Sequence, residues 1–504
     1  MSFWPFKKRE APKKRVVRHR GYTSASQDRL RSSWTTTSLS ADAEIYKSLK
    51  KLRARSRDLA MNNDYGKRFL HMLKQNVIGP NGIRVESMVT LPRGKFDEAA
   101  NNKIDAAWEE WGKRGTCTVD GKLSWVGVQQ LILGTVATDG DVIIHKVKSW
   151  QGNRFRFALE LIESDRLDEE LNRKLPDGHE IRMGVEFDAM RRPVAYWILN
   201  DHPNDYFYGQ GHARTKYTRI PAGNIIHPFI FDRIGQSRGV PWMATPADRA
   251  KMLDGYEEAE LVAARTAASK MGFFSDEAGE DWEGDDPDTA ADPSEPPVME
   301  AEPGSFANIG KMKFTPWSPE HPVAAFEAFH LAVLRGIASG LNVSAISLSG
   351  DLRAVSYSSI RQGALDERDY WKLLQAWAIQ NFIAEVRTDW LFSSMMSGAV
   401  DLPATGNGPA HYDKPLWKPR GWEWVDPLKE VMANERAAKN FFKSVQEIVA
   451  QNGGDIYDNI DAALEVRKAL DKEGLMIPAL YEFEKTMQIK EKQSNGRPNT
   501  DAQE

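Results

Sequence analysis

Two aspartates, Asp139 and Asp141, flank Gly140 directly before a run of apolar, mostly β-branched residues. A pair of carboxylates beside a histidine is a common arrangement for holding a divalent metal ion or for general acid–base catalysis, and the chain has 10 histidines. An Asp-Gly-Asp sequence before a strand is also an ordinary turn. The pattern favours the turn, and a metal-dependent hydrolase that uses the two aspartates and a histidine is an alternative.

Other catalytic sequence motifs are missing from the chain. There is no GxxxxGK(S/T) phosphate loop, because Gly115 to Lys122 has one residue too many between its glycines and Leu123 follows the lysine. The sequence also lacks GxSxG, HExxH and a Cys/His quartet. His145, in a predicted strand, and His227, before a proline, are expected to be packed or surface histidines. The sequence therefore predicts no catalytic residue, no metal and no cofactor, and a protein that is not an enzyme.

Charge is unevenly distributed along the chain. Residues 1–20 contain eight Lys or Arg and one acidic residue, and eight more basic residues follow by Arg57. Such a block is usually a solvated, poorly ordered tail, although it could also bind phosphate. A nucleic-acid-binding protein that uses a basic N-terminal arm is therefore a second alternative. Between Asp276 and Glu302 the chain has twelve acidic residues and no Lys or Arg, which predicts a mobile loop because like charges repel.

The whole chain has 504 residues, which predicts several domains or one large elongated subunit, and a formal net charge of −4. Its single cysteine, Cys117, cannot form an intramolecular disulfide, so a reducing compartment is expected. No apolar run reaches the length of about 18 residues that a membrane-spanning helix needs. Sixteen tryptophans are more than usual and could belong either to a core or to subunit interfaces.

The elements that position these residues can be predicted from hydrophobic periodicity. Two N-terminal helices, the second with Asn63 and Asp64 where an N-cap is needed, precede a short third helix and a strand-rich middle, and the pattern becomes helical again from Thr245. The predicted helices are Ala41–Met61, Tyr65–Val77, which stops at Gly79-Pro80, and Asn101–Trp111. The predicted strands are Val142–Val147, Phe155–Ile162, Gly184–Phe187 and Val194–Leu199.

Two long helices flank the acidic stretch. They are predicted over Pro246–Lys270 and Pro322–Leu341, and the second carries an apolar stripe with steps of three and four residues. The residues of that stripe are Phe326, Phe329, Val333, Ile337 and Leu341. Two helices joined by a segment of roughly 50 residues could pack antiparallel, with the joining segment beyond their far end.

The segment after the second long helix contains two glycines, Gly340 and Gly350, and several serines. Glycine readily ends a helix, and serine side chains compete for backbone hydrogen bonds. We therefore expect the helix to end near Leu341 and an irregular segment, free to project, to follow it. A new helix should begin near Tyr357, with Ser356 as its N-cap.

Several sequence blocks occur in a fixed order between Leu52 and Leu464. They are Asn62–Tyr65 through Asn76–Pro80, Leu159–Leu167, Val185–Asp188 through Arg192–Trp197, Gly235–Trp242, Ala259–Arg265, Ser349–Arg353, Tyr357–Arg361 and Trp424–Glu430. As an ordered set, these blocks resemble the lambda-type portal family of tailed bacteriophages. The long acidic run is a departure from the family's pattern.

The resemblance implies an α+β portal fold with a mixed α/β wing, an antiparallel stem of two helices, a clip between the stem helices and a helical C-terminal crown. The implied divisions begin with a basic, poorly ordered arm at 1–40 and the first part of the wing at 41–244. Stem helices follow at 245–270 and 320–341, separated by a clip at 271–319 that contains a mobile acidic loop at 276–302. The rest is a tunnel loop at 342–356, a long helix with the second part of the wing at 357–430, the crown at 431–484 and a disordered tail at 485–504.

The resemblance also implies a structural role. The chain would form a ring, of twelve copies, at one capsid vertex of the virion, with double-stranded DNA in its central channel. It would assemble in the host bacterial cytoplasm, without a membrane. Its implied partners are further copies of itself, a terminase that hydrolyses ATP, the major capsid or scaffold protein, and a head-completion or tail connector protein.

The resemblance to the portal family also implies which residues face the DNA. In the tunnel loop they are Ser349, Gly350, Asp351, Leu352 and Arg353, and at the edge between clip and stem they are Lys311 and Lys313. The apolar stripe would pack the stem. A channel through which DNA slides should not have a strongly basic lining, because counterion release would hold the phosphates. The slightly acidic net charge agrees with this. Arg353, Lys311 and Lys313 could still make brief phosphate contacts, and the alternative is that they are solvated surface charges.

Overall fold

The structure, a computed structural model, describes two single residues near the N-terminus and most of the chain between residues 32 and 473. The described residues are 25, 29, 32–92, 95–205, 217–268, 272–276, 312–316, 323–353, 356–403, 408–422, 427–451, 454 and 456–473. The poorly ordered arm predicted over 1–40 includes described residues only at 25, 29 and 32–40. The mobile acidic loop predicted over 276–302, apart from Asp276, and the disordered tail predicted over 485–504 lie outside the described residues.

Two helices at the start of this body meet at Asn63. Helix α1 spans Ala41–Asn62 and α2 spans Asp64–Leu73. The Asn63 side chain accepts a hydrogen bond from the Gly66 N–H and so caps α2. A π-helical turn, Lys74–Ile78, extends α2, and the chain leaves it at Gly79 with φ at 75°. Both predicted helices, the cap and the glycine stop are confirmed.

A short strand and two further helices follow. Strand β1 spans Arg84–Ser87, α3 spans Glu98–Trp111 and α4 spans Trp125–Asp139. The prediction of a helix that ends at Trp111 is confirmed, but α3 begins before Asn101 because Asp97 accepts a hydrogen bond from the Ala100 N–H and caps it. Helix α4 has no counterpart in the sequence prediction, because its apolar residues surround the helix instead of forming one stripe.

Two antiparallel sheets form the middle of the chain. Their strands are β2 (Ile143–Lys148), β3 (Phe157–Ile162), β4 (Arg173–Lys174), β5 (Glu180–Arg182), β6 (Val185–Phe187), β7 (Pro193–Leu199), β8 (Tyr217–Pro221) and β9 (Ile225–Ile226). One sheet has the order β3-β2-β9, and the other is a meander in the order β4-β5-β6-β7-β8. The four predicted strands correspond to β2, β3, β6 and β7 and are confirmed.

The two long helices are present and lie side by side. Helix α5 spans Ala247–Ala268 and α6 spans Val323–Gly340. A Cβ atom on Gly340 would lie 3.2 Å from Pro246, and the Phe329 ring lies 5.3 Å from the Tyr256 ring, so the start of α5 meets the end of α6. The helices are therefore antiparallel. At their other end β10 (Gly272–Asp276) pairs antiparallel with β11 (Met312–Pro316).

The C-terminal part of the described chain is mostly helical. Its elements are α7 (Ala345–Ser349), α8 (Tyr357–Ala378), α9 (Ala384–Met396), β12 (Pro415–Lys418), α10 (Pro427–Lys439), α11 (Val445–Gln451) and α12 (Ile456–Glu473). A π-helical turn, Ile379–Ile383, joins α8 to α9, and β12 pairs with β1. None of the helices in the described residues is long and apolar enough to cross a membrane.

The connection between α6 and α8 differs from the predicted irregular segment. Helix α8 begins at Tyr357, and Ser356 caps it by accepting a hydrogen bond from the Ser359 N–H, as predicted. Residues 345–349, however, form the short helix α7, which the Ser344 side chain caps. The prediction treated Ser344 as a residue that disfavours helix, whereas a serine at the N-cap position stabilises one.

Two hydrophobic clusters stabilise the fold. The main cluster packs α1–α4 against α8 and α9, and at its centre the rings of Trp108, Trp111, Trp125 and Trp390 have centroids 4.9 to 6.3 Å apart. These tryptophans therefore belong to the core. The smaller cluster fills the space between the two sheets, with Ile143 from one sheet and residues such as Tyr196 from the other.

Candidate functional site

Asp139 and Asp141 belong to a buried network of ion pairs at the turn between α4 and β2. The Arg238 Nε atom donates to Asp141 Oδ2 at 2.6 Å, and the His227 Nε2 atom lies 3.1 Å from the same oxygen. Arg57 binds Asp139 through two hydrogen bonds of 2.8 and 2.7 Å. Both carboxylates are thus engaged by guanidinium groups.

The electrostatics of this network oppose a metal ion. Burial alone would raise the pKa of Asp141, but the charge of Arg238 and the bond to His227 outweigh it and hold that pKa well below its usual range. A cation at this place would be repelled by Arg238, by Arg57 and by Arg53, whose side chain is also buried here. The two aspartates anchor the turn, and the metal-dependent hydrolase alternative has no support.

Part of the basic N-terminal region belongs to the same network. Arg53, on α1, is 1% exposed and donates to Glu169 Oε1 at 2.6 Å and to Asp165 Oδ1 at 3.2 Å. Arg57 also pairs with Asp165 at 2.5 Å. These two arginines belong to the basic block that could bind phosphate according to the sequence. In the structure they are bound to internal carboxylates instead. More than a hundred residues separate Arg53 from Asp165, so no local pattern reveals the pair.

Two other groups of side chains in the described residues have ligand atoms close enough to share a metal ion. They are Glu163, Asp165 and His202, and Asp177, His179 and Glu186. In the first group Asp165 is paired with arginine, and in the second Glu186 accepts two hydrogen bonds of 2.8 Å from Arg219. Since arginine already satisfies the central carboxylate of each group, neither arrangement indicates a metal site.

The apolar stripe of α6 is buried in its second half. Ile337 and Leu341 are buried in the main core, and Val333 is half-buried against it. Leu334 and Ala338 are also fully buried, although the predicted stripe omitted them. The stripe had one residue per turn, whereas a helix packed on several neighbours buries a wider face.

The first half of the same stripe is more open. Phe326 is half-buried, and Phe329 is 53% exposed. Both rings contact Tyr256 on α5, with centroids 5.6 and 5.3 Å away, respectively. Phe329 remains partly exposed although it contacts α5, because this part of α6 extends beyond the main core. The exposed aromatic side chain is available for a contact with another molecule.

A polar cluster ties the two long helices to the N-terminal helices. The Tyr65 hydroxyl, on α2, lies 3.2 Å from Glu257 Oε1 on α5 and 3.2 Å from His330 Nε2 on α6. His330 also hydrogen-bonds to Glu257. Burial and the neighbouring Glu257 carboxylate raise the pKa of Tyr65 to about 12, so its hydroxyl remains protonated near neutral pH. Sequence analysis did not identify this cluster, because its members are far apart in the chain.

Helix α7 is held against α8 by one carboxylate. Glu367 accepts hydrogen bonds from the Ser344 N–H at 2.7 Å and from the Ser347 hydroxyl at 2.9 Å. Leu348 is buried in the main core. The part of the connection up to Leu348 is thus packed onto the body, and most residues of the following segment, from Ser349 to Arg353, are exposed.

The five residues predicted to face DNA, Ser349, Gly350, Asp351, Leu352 and Arg353, begin at the last residue of α7 and continue towards α8. Gly350 ends α7 in the left-handed region with φ at 74°, which favours glycine. Ser349 is exposed and Leu352 is 60% exposed. The segment therefore presents both an apolar and a charged side chain to solvent.

The Arg353 side chain is 76% exposed and is bound by two acidic residues. Its Nε and Nη2 atoms donate to the two carboxylate oxygens of Asp351 at 3.0 and 2.9 Å, and Nη2 lies 3.2 Å from Glu327 Oε1 on α6. The bond from Arg353 lowers the pKa of Asp351 to about 2. The positive charge of this segment is therefore locally compensated.

The two lysines predicted at the edge of the clip are described less fully. Lys311 lies outside the described residues. Lys313 lies on β11, where its backbone is paired with Ser275 of β10. The predicted phosphate contacts of both lysines remain predictions.

Comparison with known proteins identifies the family. The family model for "Phage portal protein, lambda family" matches residues 27–375, more than half of the chain. The chain belongs to the lambda family of phage portal proteins. The similarity extends to individual members: a "Probable portal protein" of Halomonas phage phiHAP-1 is 37% identical over 462 residues, which cover 90% of this chain and 87% of that protein. The sequence-based resemblance is thereby confirmed.

A more distant relative and two chains of solved structures are also similar to this chain. Portal protein B of Escherichia phage lambda is 23% identical over 492 residues, which cover 89% of each protein. Among solved structures, a chain from the virion of a native gene transfer agent particle is 13% identical, with a TM-score of 0.41, over 81% of this chain and 93% of that one. A chain from the neck of the empty particle has a TM-score of 0.42 and 14% identity, over 81% of this chain and 94% of that one.

Proposed function

We propose that this portal-family chain forms a ring-shaped channel at one vertex of a phage capsid, through which double-stranded DNA is packaged and ejected. The observation that carries the proposal is the family match over residues 27–375. The antiparallel pair of α5 and α6 supports it, because two long helices side by side are suited to line a channel when repeated around an axis. The chain would act as a structural component of the virion and would assemble in the host cytoplasm.

We assign the parts of the portal fold to the observed elements as follows. The stem is α5 and α6, and the clip is the segment 271–319, which includes β10 and β11. The tunnel loop is the segment 342–356, and the wing is formed by 41–244 with 357–430. The crown is the segment 431–484, whose described part contains α11 and α12. Since α7 is packed onto the body, the part of the tunnel loop that reaches into the channel is Ser349–Arg353.

The charges of the described tunnel loop fit a channel that does not hold its cargo. Arg353 can contact a phosphate only by leaving, or sharing, its bonds to Asp351 and Glu327. Each such contact is solvent-exposed and weak, so the DNA can slide past it. The formal charge of −4 for each chain adds a modest repulsion around the ring.

The partners follow from the same proposal. The sequence has no phosphate loop, so a separate terminase must hydrolyse ATP and drive the DNA. The clip end of the stem would bind the terminase during packaging and a head-completion or tail connector protein afterwards. The wing would contact the major capsid or scaffold protein.

Electron microscopy of the purified full-length chain tests the proposal. We expect rings with a central hole, and native mass spectrometry should give a closed assembly of twelve copies of the 56.9 kDa chain. A chain that stays monomeric, or forms open filaments, at micromolar concentration would overturn the proposal. A closed ring with another copy number would correct the stoichiometry alone.

A further inference from the structure

A small polar cavity lies where the π-helical turn after α2 meets strand β12. Its volume is about 190 Å³, below the range of about 300–1,000 Å³ that is usual for larger ligands, so it suits a small ion or a single chemical group. One wall is the turn 78–82, and the other is the segment 418–421. Arg84, Lys418 and Arg420 line this cavity, and among the described residues no acid does. We call it the basic cavity.

Two of the three cations lie opposite each other on paired strands. Arg84, on β1, is the direct register partner of Lys418, on β12, so the two side chains lie on the same face. Like charges at such positions destabilise a sheet. Lys418 is paired with Glu86 at 2.6 Å, whereas Arg84 is exposed to solvent. The strand pair thus contributes positive charge to the basic cavity.

The third cation, Arg420, has no carboxylate partner among the described residues. Its Nη1 atom donates to the Gln75 carbonyl and, at 3.3 Å, to Asn76 Oδ1, and both acceptors are uncharged. No described residue accepts a hydrogen bond from its Nε or Nη2 atom. Burial and the nearby Arg368 both lower the pKa of Arg420. Because a half-buried cation without a counter-charge is unfavourable, an anion beside it would be stabilising.

The Arg420 side chain is already held in position. The two bonds of Nη1 fix one side of its guanidinium group, and Gln375 on α8 donates to the Arg420 carbonyl at 3.0 Å. Gly79 leaves room for the side chain, since a Cβ atom there would lie 3.0 Å from Arg420 Cδ. A fixed group loses little conformational entropy when it binds a ligand.

The chemistry of the unused edge of Arg420 indicates the kind of ligand. The Nε and Nη2 atoms together can donate two parallel hydrogen bonds to one oxyanion, which is how arginine binds phosphate. Arg84 and Lys418 would add attraction for a group with more than one negative charge. The size of the basic cavity agrees with one tetrahedral group of this kind.

We propose that the basic cavity binds a phosphate group through the Nε and Nη2 atoms of Arg420, with Arg84 and Lys418 beside it. Free phosphate and the backbone of DNA present the same group, and the experiments below distinguish these two sources. The inference goes beyond the proposed channel and does not depend on ring formation, because all of these residues belong to one chain.

Isothermal titration calorimetry of the full-length protein with inorganic phosphate, at constant low ionic strength, tests the inference. We expect saturable binding of one phosphate for each chain. Arg420→Gln should weaken it about tenfold, because charge-assisted hydrogen bonds are lost. Arg84→Gln should weaken it several-fold and keep the fold, since that side chain is exposed. Lys122→Gln, which removes a cation that is 78% exposed elsewhere, is the matched control and should bind phosphate like the unmodified protein.

Competition with a short DNA duplex identifies the source of the phosphate. The experiment uses low salt, because counterions weaken contacts with DNA. Displacement of inorganic phosphate by the duplex, together with weaker duplex binding by Arg84→Gln than by Lys122→Gln, would identify the DNA backbone. Unchanged phosphate binding in the presence of the duplex would identify a free phosphate. The inference is overturned if the unmodified protein shows no saturable phosphate binding, or if Arg84→Gln and Arg420→Gln bind phosphate as tightly as Lys122→Gln.

Discussion

At the scale of single residues, the feature that bears most directly on the channel is the compensated charge of Arg353. In the described structure its guanidinium faces solvent while Asp351 and Glu327 bind it. The three groups together carry a net negative charge, so a phosphate that approaches them must compete with two carboxylates. Such a group can touch DNA without retaining it.

We expect Arg353→Glu to leave ring assembly intact and to lower the yield of full-length packaged DNA several-fold. The change places three acidic side chains together at the proposed channel surface, and their repulsion of phosphate is repeated in every copy of the ring. The amount and length of DNA per particle, measured after complementation with the variant, check this. Arg353→Lys, which keeps the charge, and Lys122→Glu, which reverses an exposed charge elsewhere, are the controls. Normal packaging and retention by Arg353→Glu would remove Arg353 from the functional residues.

A second residue-scale prediction concerns Glu186, whose buried carboxylate is bound by Arg219, His179 and Trp197. The bond from Arg219 is the main reason that the pKa of Glu186 falls to about 2. A carboxyl whose pKa is lowered by folding stabilises the protein above its unfolded pKa of about 4.3, and this stabilisation is lost as the pH falls towards 2.

Glu186→Gln should therefore lower the melting temperature by a few degrees at pH 7, equivalent to about 1–3 kcal/mol for bonds to a charged group. At pH 3 the difference from the unmodified protein should be smaller, because part of the stabilisation is already lost. Thermal melts at both pH values check the prediction. A difference that is the same at pH 3 and pH 7 would mean that the charge of Glu186 contributes nothing.

At the scale of elements, α6 joins two environments in one helix. Its second half is part of the main core, whereas its first half packs on α5 and leaves Phe329 more than half exposed. An aspartate introduced in the second half should therefore destabilise the fold much more than an aspartate introduced in the first half.

Ile337→Asp should destabilise the chain by several kcal/mol, because it buries an unpaired carboxylate. Phe329→Asp is the matched control, since it introduces the same side chain on the same helix at an exposed position. We expect soluble, folded protein for Phe329→Asp and a large loss of soluble protein for Ile337→Asp, measured by expression and thermal melting. Equal melting temperatures would show that the second half of α6 is not part of the core.

The sequence predicts the elements whose ends are marked by nearby residues. It does not predict features that depend on contacts between distant parts of the chain. Helix α2 has its own cap at Asn63, and the π-helical turn that extends it stops at Gly79, so both predicted ends lie within one residue of the observed ones. Helix α4 is apolar on nearly all sides because other elements surround it, so its sequence lacks the amphipathic periodicity that predicts a helix. The ion pairs of the candidate site join residues that are far apart in the chain, from 82 positions for Arg57 with Asp139 to 116 for Arg53 with Glu169, so only the folded chain brings them together.

At the scale of the whole molecule, the distribution of charge separates a channel from a DNA-binding protein. Two arginines of the basic region are bound inside the body, and the basic residues before residue 25 lie outside the described chain. The net charge remains −4. Under the proposed function, tight binding of DNA by the assembled protein is not expected, because a chain with a negative net charge gives no general attraction for the phosphates.

Deletion of residues 1–20 should leave ring formation unchanged and should change DNA affinity little. Filter binding of a short DNA duplex at about 150 mM salt should give a weak Kd, of the order of 10⁻⁴ M or above, for both the full-length and the shortened protein. The unmodified protein at low salt serves as the positive control for the assay. Tight binding that the deletion abolishes would instead favour a nucleic-acid-binding protein that acts through its N-terminal arm.

The π-helical turn between α8 and α9 has a consequence for how this chain tolerates changes of length. A π turn accommodates one residue more than an α-helical turn between the same two flanking segments. Removal of the exposed Gln380 should therefore convert Ile379–Ile383 into α-helix while both flanks keep their positions, so the melting temperature should fall by only about 5 °C or less.

Removal of the exposed Thr388, within α9, should rotate Trp390 out of the core by about 100° and abolish folding. The chain can therefore lose one residue in the π-helical turn without a change in the orientation of α9, whereas the loss of one residue within α9 reorients every side chain on one side of the deletion.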